Sequence, residues 1–314
     1  MTLQQLEYVI AVDNHRHFAK AAQACFVTQP TLSMMLQKLE EELGVLIFDR
    51  SKQPVVPTET GRAILEQARK IVAETQQLRE IVATQRDILR GELRLGIIPT
   101  LAPYLLPLFL KNFSEKYPDI RLIISELTTE NIIQKLKKDT LDMGIMATPT
   151  GDKDLFESPL FQEQFVVYAS KNENILKKRY LLANDIDVNR LVLLEEGHCM
   201  RAQVVNLCEL KQTTNQIANI FYESGSIETL KNLIDKHAGV TILPELALQN
   251  LTKKQFENIR FFQEPAPVRE ISLVTYRAFV KKRLAEALKN EIMASLPPEL
   301  QTDKKSQVLS ILGT

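Results

Sequence analysis

Two patterns succeed one another along this chain, and together they predict an α/β protein with a helical N-terminal domain. The first 60 residues are dense with helix signals and hold a single glycine, Gly44. From Leu93 onward, short apolar runs alternate with amphipathic helical stretches, the pattern of an α/β region. A third observation joins them: a helical pattern of about thirty residues, long for one helix of a globular domain.

The N-terminal elements follow in order. Leu3, Leu6, Val9, Ile10 and Val12 recur at helical spacing and predict one amphipathic helix. Phe18–Cys25 predicts a second, kept slim by Ala21, Ala22 and Ala24. The stretch Val27-Thr28-Gln29-Pro30-Thr31 then breaks the pattern. Thr28 suits an N-cap and Pro30 a first helical turn, so a third helix should start there and run to about Leu43, with Gly44 ending it. Val45–Phe48 and Val55–Val56 read as two short strands across the polar turn Asp49–Pro54. Helix, short helix, tight turn, helix and β-wing make a winged helix-turn-helix.

Thr58-Glu59-Thr60-Gly61 opens the long helix, predicted to reach about Arg90 with Gly91 as its C-cap. Its seam of Ile64, Leu65, Ala68, Ile71, Val72, Leu78, Ile81, Val82 and Ile88 suits a partner helix, so it reads as a linker and dimerisation helix. Strands are expected at Leu93–Ile98, Ile120–Ile124, Met143–Met146, Phe165–Tyr168, Leu191–Leu194, Ile217–Phe221, Val240–Leu243 and Ile271–Val274. Helices are expected over Tyr104–Tyr117 and Glu130–Lys138, giving parallel sheets in two halves around a crevice. The expected domains are 1–60, 61–91 and 92–297, followed by a loose polar tail over 298–314. Within 92–297, subdomain I takes about 92–161 and 267–297, and subdomain II about 162–266.

Composition limits the function. The chain has 314 residues, 39 Lys+Arg against 39 Asp+Glu, 45% hydrophobic residues and three cysteines. That excludes a disordered chain, a collagen-like chain and a disulfide-stapled secreted scaffold. Few cysteines and no apolar leader predict a reducing, cytoplasmic setting. No cofactor is expected.

Neutral charge removes the global argument for nucleic-acid binding, so any such argument is local. Residues 1–62 carry Arg16, Lys20, Lys38, Arg50, Lys52 and Arg62 against Glu7, Asp13, Glu40, Glu41, Glu42, Asp49 and Glu59. Three of these acids cluster at the far end of the third helix, while His15, Arg16 and Lys20 lie near the second. Base-reading candidates at the start of the third helix are Gln29, Pro30, Thr31, Leu32, Ser33, Met35 and Gln37, with Lys38, Arg50 and Lys52 as charged candidates. On charge alone, a small helical domain with a solvated face is the better reading. The order of the elements reverses that.

The stretch from Leu3 to Leu65, with its TQPTLS turn and LEEELGVLIFDR exit into the wing, resembles the N-terminal domain of LysR-type transcriptional regulators. The family architecture is a winged helix, a dimerising linker helix and a two-subdomain, periplasmic-binding-protein-like effector domain. The resemblance covers the whole chain in that order and implies promoter DNA and RNA polymerase as partners, with a homodimer or homotetramer as the assembly.

The segment LLEEGHCMRAQVVNLCEL places Cys199 after His198 and two residues before Arg201, cationic neighbours that favour the thiolate which peroxide attack requires. Cys208 follows nine positions later. On a helix that offset is about 900° of rotation and about 13 Å of rise, on opposite faces. A disulfide needs Cα atoms within about 7 Å, so bonding requires the helix to unwind or shift. Two buried, inert cysteines are the alternative at this point, and Cys25, inside the second helix, reads as a small core residue.

EEGHCMR with Cys208, together with GIIPTLAPYLLP, SELTTENIIQKL and SGSIETLKNLIDKHAGVTILPELAL, is similar to the peroxide-sensing branch of the LysR-type family. The resemblance implies Cys199 as the peroxidatic cysteine and Cys208 as its resolving partner. It also implies a peroxide pocket of Thr100, Thr129, His198 and Arg201, and reduction by a cellular thiol system. A regulator answering a small metabolite in the crevice is the first alternative. A thiol peroxidase is the second, although such an enzyme needs neither a winged helix nor a linker.

Overall fold

In the computed structural model, Thr2 starts the first helix with a reciprocal cap. Its hydroxyl accepts from the Gln5 amide, and Gln5 Oε1 accepts from the Thr2 amide at 2.8 Å. The residues described are 1–84, 89–195, 199–208, 216–217, 220–221, 225–237, 239–276, 279, 281–301 and 306–309. They fall into two units, one built mainly on residues 1–84 and the other on those from Leu89 onward.

In the first unit α1 spans Leu3–His15, α2 Phe18–Ala24 and α3 Gln29–Leu43. The Thr28 hydroxyl caps α3 by accepting from the Thr31 amide, and Gly44 ends it at φ +68, as their types predict. Ala21 and Ala22 are buried and let α2 approach the others, so that Val9, Val12, Leu32, Leu36, Leu39, Ile47 and Phe48 share one core. The wing is shorter than expected and displaced along the chain: β1 is Phe48–Asp49 and β2 Val56–Pro57, antiparallel. Val45–Ile47 forms no strand, because Ile47 is fully buried and its carbonyl accepts from the Thr58 amide. The long helix α4 spans Glu59–Thr84. Gly91 is not its C-cap, since it opens the next strand at φ +130.

The second unit begins with β3 (Gly91–Ile97), α5 (Ala102–Lys116), β4 (Ile120–Glu126), α6 (Thr129–Lys137), β5 (Met143–Thr148), β6 (Leu155–Ala169) and β7 (Tyr180–Leu181). It continues with α7 (Cys199–Leu207), β8 (Gln216–Ile217), β9 (Ile220–Phe221), α8 (Ile227–Lys236), β10 (Val240–Pro244) and α9 (Lys253–Phe256). Last come β11 (Ile259–Phe262), β12 (Ala266–Tyr276), α10 (Lys282–Ser295) and β13 (Ser306–Val308). The main sheet runs β4-β3-β5-β12-β6-β11-β7, with β10 against β6 and β13 against β12.

Expected parallel throughout, the sheet is mixed. β3 lies parallel to β4 and β5, but β12 is antiparallel to β5 and β6, and β10 and β11 are antiparallel to β6. Two long strands cause this. β6 pairs with β12 up to Gln164 and with β10 from Phe165 onward, so one strand serves both halves. Leu191–Leu194 is buried yet forms no strand: Leu191 bridges to Val240, and the segment is held beside β10 by the Val192 amide and by the Thr241 hydroxyl. Ile217–Phe221, expected as one strand, holds parts of two, β8 and β9, which pair antiparallel.

The predicted loose tail is corrected in part. β13 pairs with β12, the Leu309 amide donates to Val268 O, and Leu300 and Leu309 are buried. Burial of Leu300 and Leu309 anchors the described residues of this segment. No helix among the described residues is long and apolar enough to cross a membrane.

Candidate functional site

The N-terminal unit presents one side of α3. Gln29, Pro30, Thr31, Met34, Gln37 and Lys38 are exposed, and Ser33 is half-buried. Two candidates do not belong to that side. Leu32 is fully buried in the core, and Met35 packs against it while its carbonyl accepts from Gln5 Nε2. The helical period explains both: positions 32, 35, 36 and 39 form the inward stripe, and Met34 rather than Met35 faces out.

Several charges are already engaged. Arg16 pairs with Asp13 at 2.9 Å. Glu40 is buried rather than part of an exposed acidic cluster. Its Oε1 accepts from the Ile47 and Phe48 amides, and its Oε2 receives the Arg50 guanidinium at 2.7 Å. Arg50 also lies over the Phe18 ring, 5.3 Å from its centroid. Glu40 and Arg50 together fix the wing to α3, so Arg50 braces the surface on which it stands. Lys52, beyond the wing strand, is exposed and 3.7 Å from Asp49.

In the second unit, Thr100 and Thr129 each lie three residues past Ile97 and Glu126, which are paired neighbours on the parallel strands β3 and β4. Both therefore stand at the carboxyl ends of adjacent parallel strands, where open α/β sheets bind ligands. The Thr129 hydroxyl is buried with no hydrogen-bond partner. Cys199 is the first residue of α7 and is buried, whereas Cys208 directly follows its last turn and is half-buried, its amide donating to Val204 O. All three cysteines are free thiols. With α7 between them and the Cys208 amide still bonded to Val204 O, helical geometry puts the two cysteines about 13 Å apart in rise, on opposite faces. Arg201 donates to Leu194 O at 2.7 Å. His198 lies outside the described residues.

Met200, Gln203 and Val204 form the inward face of α7. Gln203 is fully buried and donates to Leu309 O at 3.0 Å, which ties the helix to the C-terminal strand segment. Burial pushes the Cys208 thiol up to about 11. Peptide mapping of the reduced protein after iodoacetamide should show Cys208 alkylation climbing about tenfold per pH unit from pH 7 and levelling only near 11. A plateau already reached at pH 9 would mean that the thiol is solvated.

Sequence reasoning missed Arg269. It is fully buried, donates from Nη1 to the Thr100 hydroxyl at 3.0 Å and to Thr100 O, and pairs with Glu163 at 2.7 Å. The available signal was an Arg-Glu dipeptide inside a strand pattern, with its partner 106 positions away.

Against known proteins, residues 3–62 match the family described as bacterial regulatory helix-turn-helix protein, lysR family, and residues 86–297 match the LysR substrate binding domain. The chain belongs to the LysR family. A LysR-family regulator binds DNA through its helix-turn-helix, here within residues 3–62. Its relatives include a hydrogen peroxide-inducible genes activator of Haemophilus influenzae, 33% identical over 94% of this chain and 99% of that one. The DNA-binding transcriptional dual regulator OxyR of Escherichia coli is 32% identical over 87% of this chain and 89% of its own. Among solved structures, a full-length OxyR C199D variant from Pseudomonas aeruginosa has a TM-score of 0.77 and 33% identity, covering 93% of this chain and 98% of that one. An H2O2-bound OxyR mutant from Corynebacterium glutamicum has a TM-score of 0.58 at 27% identity, over 94% of each chain.

Proposed function

We propose that this LysR-family chain is a peroxide-sensing transcription regulator switched by a reversible Cys199–Cys208 disulfide. One observation carries the proposal: Cys199 opens α7 and Cys208 directly follows it, so the helix between them keeps the two thiols too far apart to bond. Support also comes from relatives whose names describe hydrogen peroxide-inducible activation.

The Cys199 thiolate attacks one peroxide oxygen. An S–O bond forms, the O–O bond breaks, and the leaving hydroxide takes a proton to become water. Cys208 then attacks the sulfenic sulfur, forming S–S and expelling a second water. Two thiols lose two electrons and one peroxide becomes two waters. A cellular dithiol returns the electrons. Thr100, Thr129, His198 and Arg201 are the proposed peroxide pocket, where hydroxyls hold the peroxide and cations stabilise the leaving oxygen.

Bond formation needs Cα atoms within about 7 Å, so α7 has to unwind, and the buried Gln203 leaves Leu309 as it does. In this reading oxidation therefore changes the packing of the effector region. The regulator acts in the cytoplasm as a homodimer or homotetramer on promoter DNA. There Gln29, Pro30, Thr31, Ser33, Gln37, Lys38 and Lys52 face the duplex while Arg50 holds the wing, and RNA polymerase is the downstream partner.

Mass spectrometry of the full chain after stoichiometric H2O2 tests this. A Cys199–Cys208 linkage is expected in the wild type, a stable sulfenic acid in Cys208→Ser, and neither in Cys199→Ser. Thiols at 199 and 208 that stay reduced, beside an unaltered DNA footprint, sink the switch and leave the crevice to another inducer.

A further inference from the structure

Phe26 is the most exposed of the large apolar side chains among the described residues, at 96%. It occupies the turn between α2 and α3 at φ +56, in the left-handed region that bulky residues avoid. The backbone around it is that of a Schellman turn: the Val27 amide donates to Ala22 O, and the Phe26 amide donates to Gln23 O. Glycine fills this position at no conformational cost, and asparagine at little. A phenyl ring adds backbone strain and an uncovered apolar surface, and at this exposure it gives the core nothing in return.

Its position supplies a use. Phe26 stands two residues before the Thr28 cap, at the end of α3 where Gln29, Pro30 and Thr31 are exposed. A helix-turn-helix docks by placing that end of its second helix in the major groove. There the thymine C5-methyl is the apolar group a base presents, so an exposed ring at the mouth of the motif matches thymine. We infer that Phe26 is a base-reading residue whose ring meets a thymine methyl in the major groove. The inference rests on the DNA-binding function of the family and is independent of the redox reading.

The test uses the full chain and a duplex that the wild-type protein selects from a random-sequence pool, with affinities measured at fixed salt. Phe26→Gly should melt no lower than the wild type, because glycine relieves the turn, yet bind that duplex about five- to tenfold more weakly. Phe26→Asn, also tolerated in a left-handed turn, should lose a similar factor and separates loss of the ring from added glycine flexibility. The dependence of affinity on salt should be unchanged, since the ring neutralises no phosphate. Replacing thymines one at a time by uracil removes only the methyl. One such position should weaken the wild type by a comparable factor and leave Phe26→Gly unaffected. Binding by Phe26→Gly within twofold of the wild type overturns the inference. So does a weakening in which every uracil replacement affects both proteins alike, which assigns the ring to the sugar-phosphate chain.

Discussion

Arg269→Met should cost the effector unit ~3–5 kcal/mol, because it leaves the Glu163 carboxylate buried without its counter-charge. Both partners are fully buried. The guanidinium reaches Glu163 Oε1 from Nε at 2.8 Å, and Glu163 Oε2 accepts from the Leu246 amide at 2.9 Å. Burial pushes Glu163 up, while Arg269 and the Leu246 amide pull it back. Without the guanidinium, the folded-state pKa of Glu163 rises further above its unfolded value of about 4.3. A carboxyl raised in the folded state contributes its stability below the unfolded pKa and loses it as pH climbs through the folded one. The deficit of Arg269→Met should therefore be smallest near pH 4 and grow toward neutrality. Adding Glu163→Met should recover much of the loss, since a buried pair replaced by packed apolar groups is often neutral. Urea unfolding of the full chain, followed on the transition of the larger unit, reads both. A single variant costing under about 1 kcal/mol, or a double variant no better than the single, would contradict the assignment. Thr100 loses two donors in the same variant, one to its hydroxyl and one to its carbonyl, so its hydroxyl is released at the carboxyl end of β3, where the peroxide pocket is proposed.

This pair also shows where sequence reading stops. Arg269 and Glu163 are direct cross-strand partners of β12 and β6, so their meeting depends on a register set between strands about a hundred residues apart. Caps behave differently. Thr28, Pro30 and Gly44 act on groups within about four residues, and α3 starts and stops where they place it. The mixed sheet was hidden for the same reason as the ion pair. Strand direction comes from long connections, and nothing local in Phe165–Tyr168 says that β6 starts ten residues earlier and serves two sets of partners. Nothing local separates Glu40 from the two acids that follow it. Only the fold brings the Ile47 and Phe48 amides to its carboxylate. The separation of Cys199 and Cys208, by contrast, follows from counting along one helix.

Gly61→Ala should be among the most damaging single-methyl changes in the N-terminal unit, against the direction that helix propensity sets. In an unconstrained helix interior, alanine gains about 1 kcal/mol over glycine. Here a Cβ would lie 2.0 Å from Ile47 O and 2.9 Å from Thr58 Oγ1, closer than real contacts allow. Backbone has to move, and what moves is a junction. Ile47 O accepts from the Thr58 amide, while the Thr58 hydroxyl donates to Leu46 O at 2.8 Å and accepts from the Gly61 amide at 2.9 Å. Opening it forfeits a helix cap and a backbone hydrogen bond, about 1 kcal/mol each, on top of an overpacking cost of about 1–3 kcal/mol. Those losses exceed the propensity gain by about 2 kcal/mol or more, which for a domain this small lowers the melting temperature by about 10 °C. Thr60→Ala, at the exposed neighbouring position, should shift it by little. The same displacement reaches the wing, because Ile47 and Phe48 also hang on Glu40 and through it on α3 and Arg50. Affinity for the selected duplex should accordingly fall at temperatures well below melting, where the unit is still folded. If Gly61→Ala instead melts at or above the wild type with full affinity, the close approach of α4 to the wing places no constraint on the DNA-binding surface.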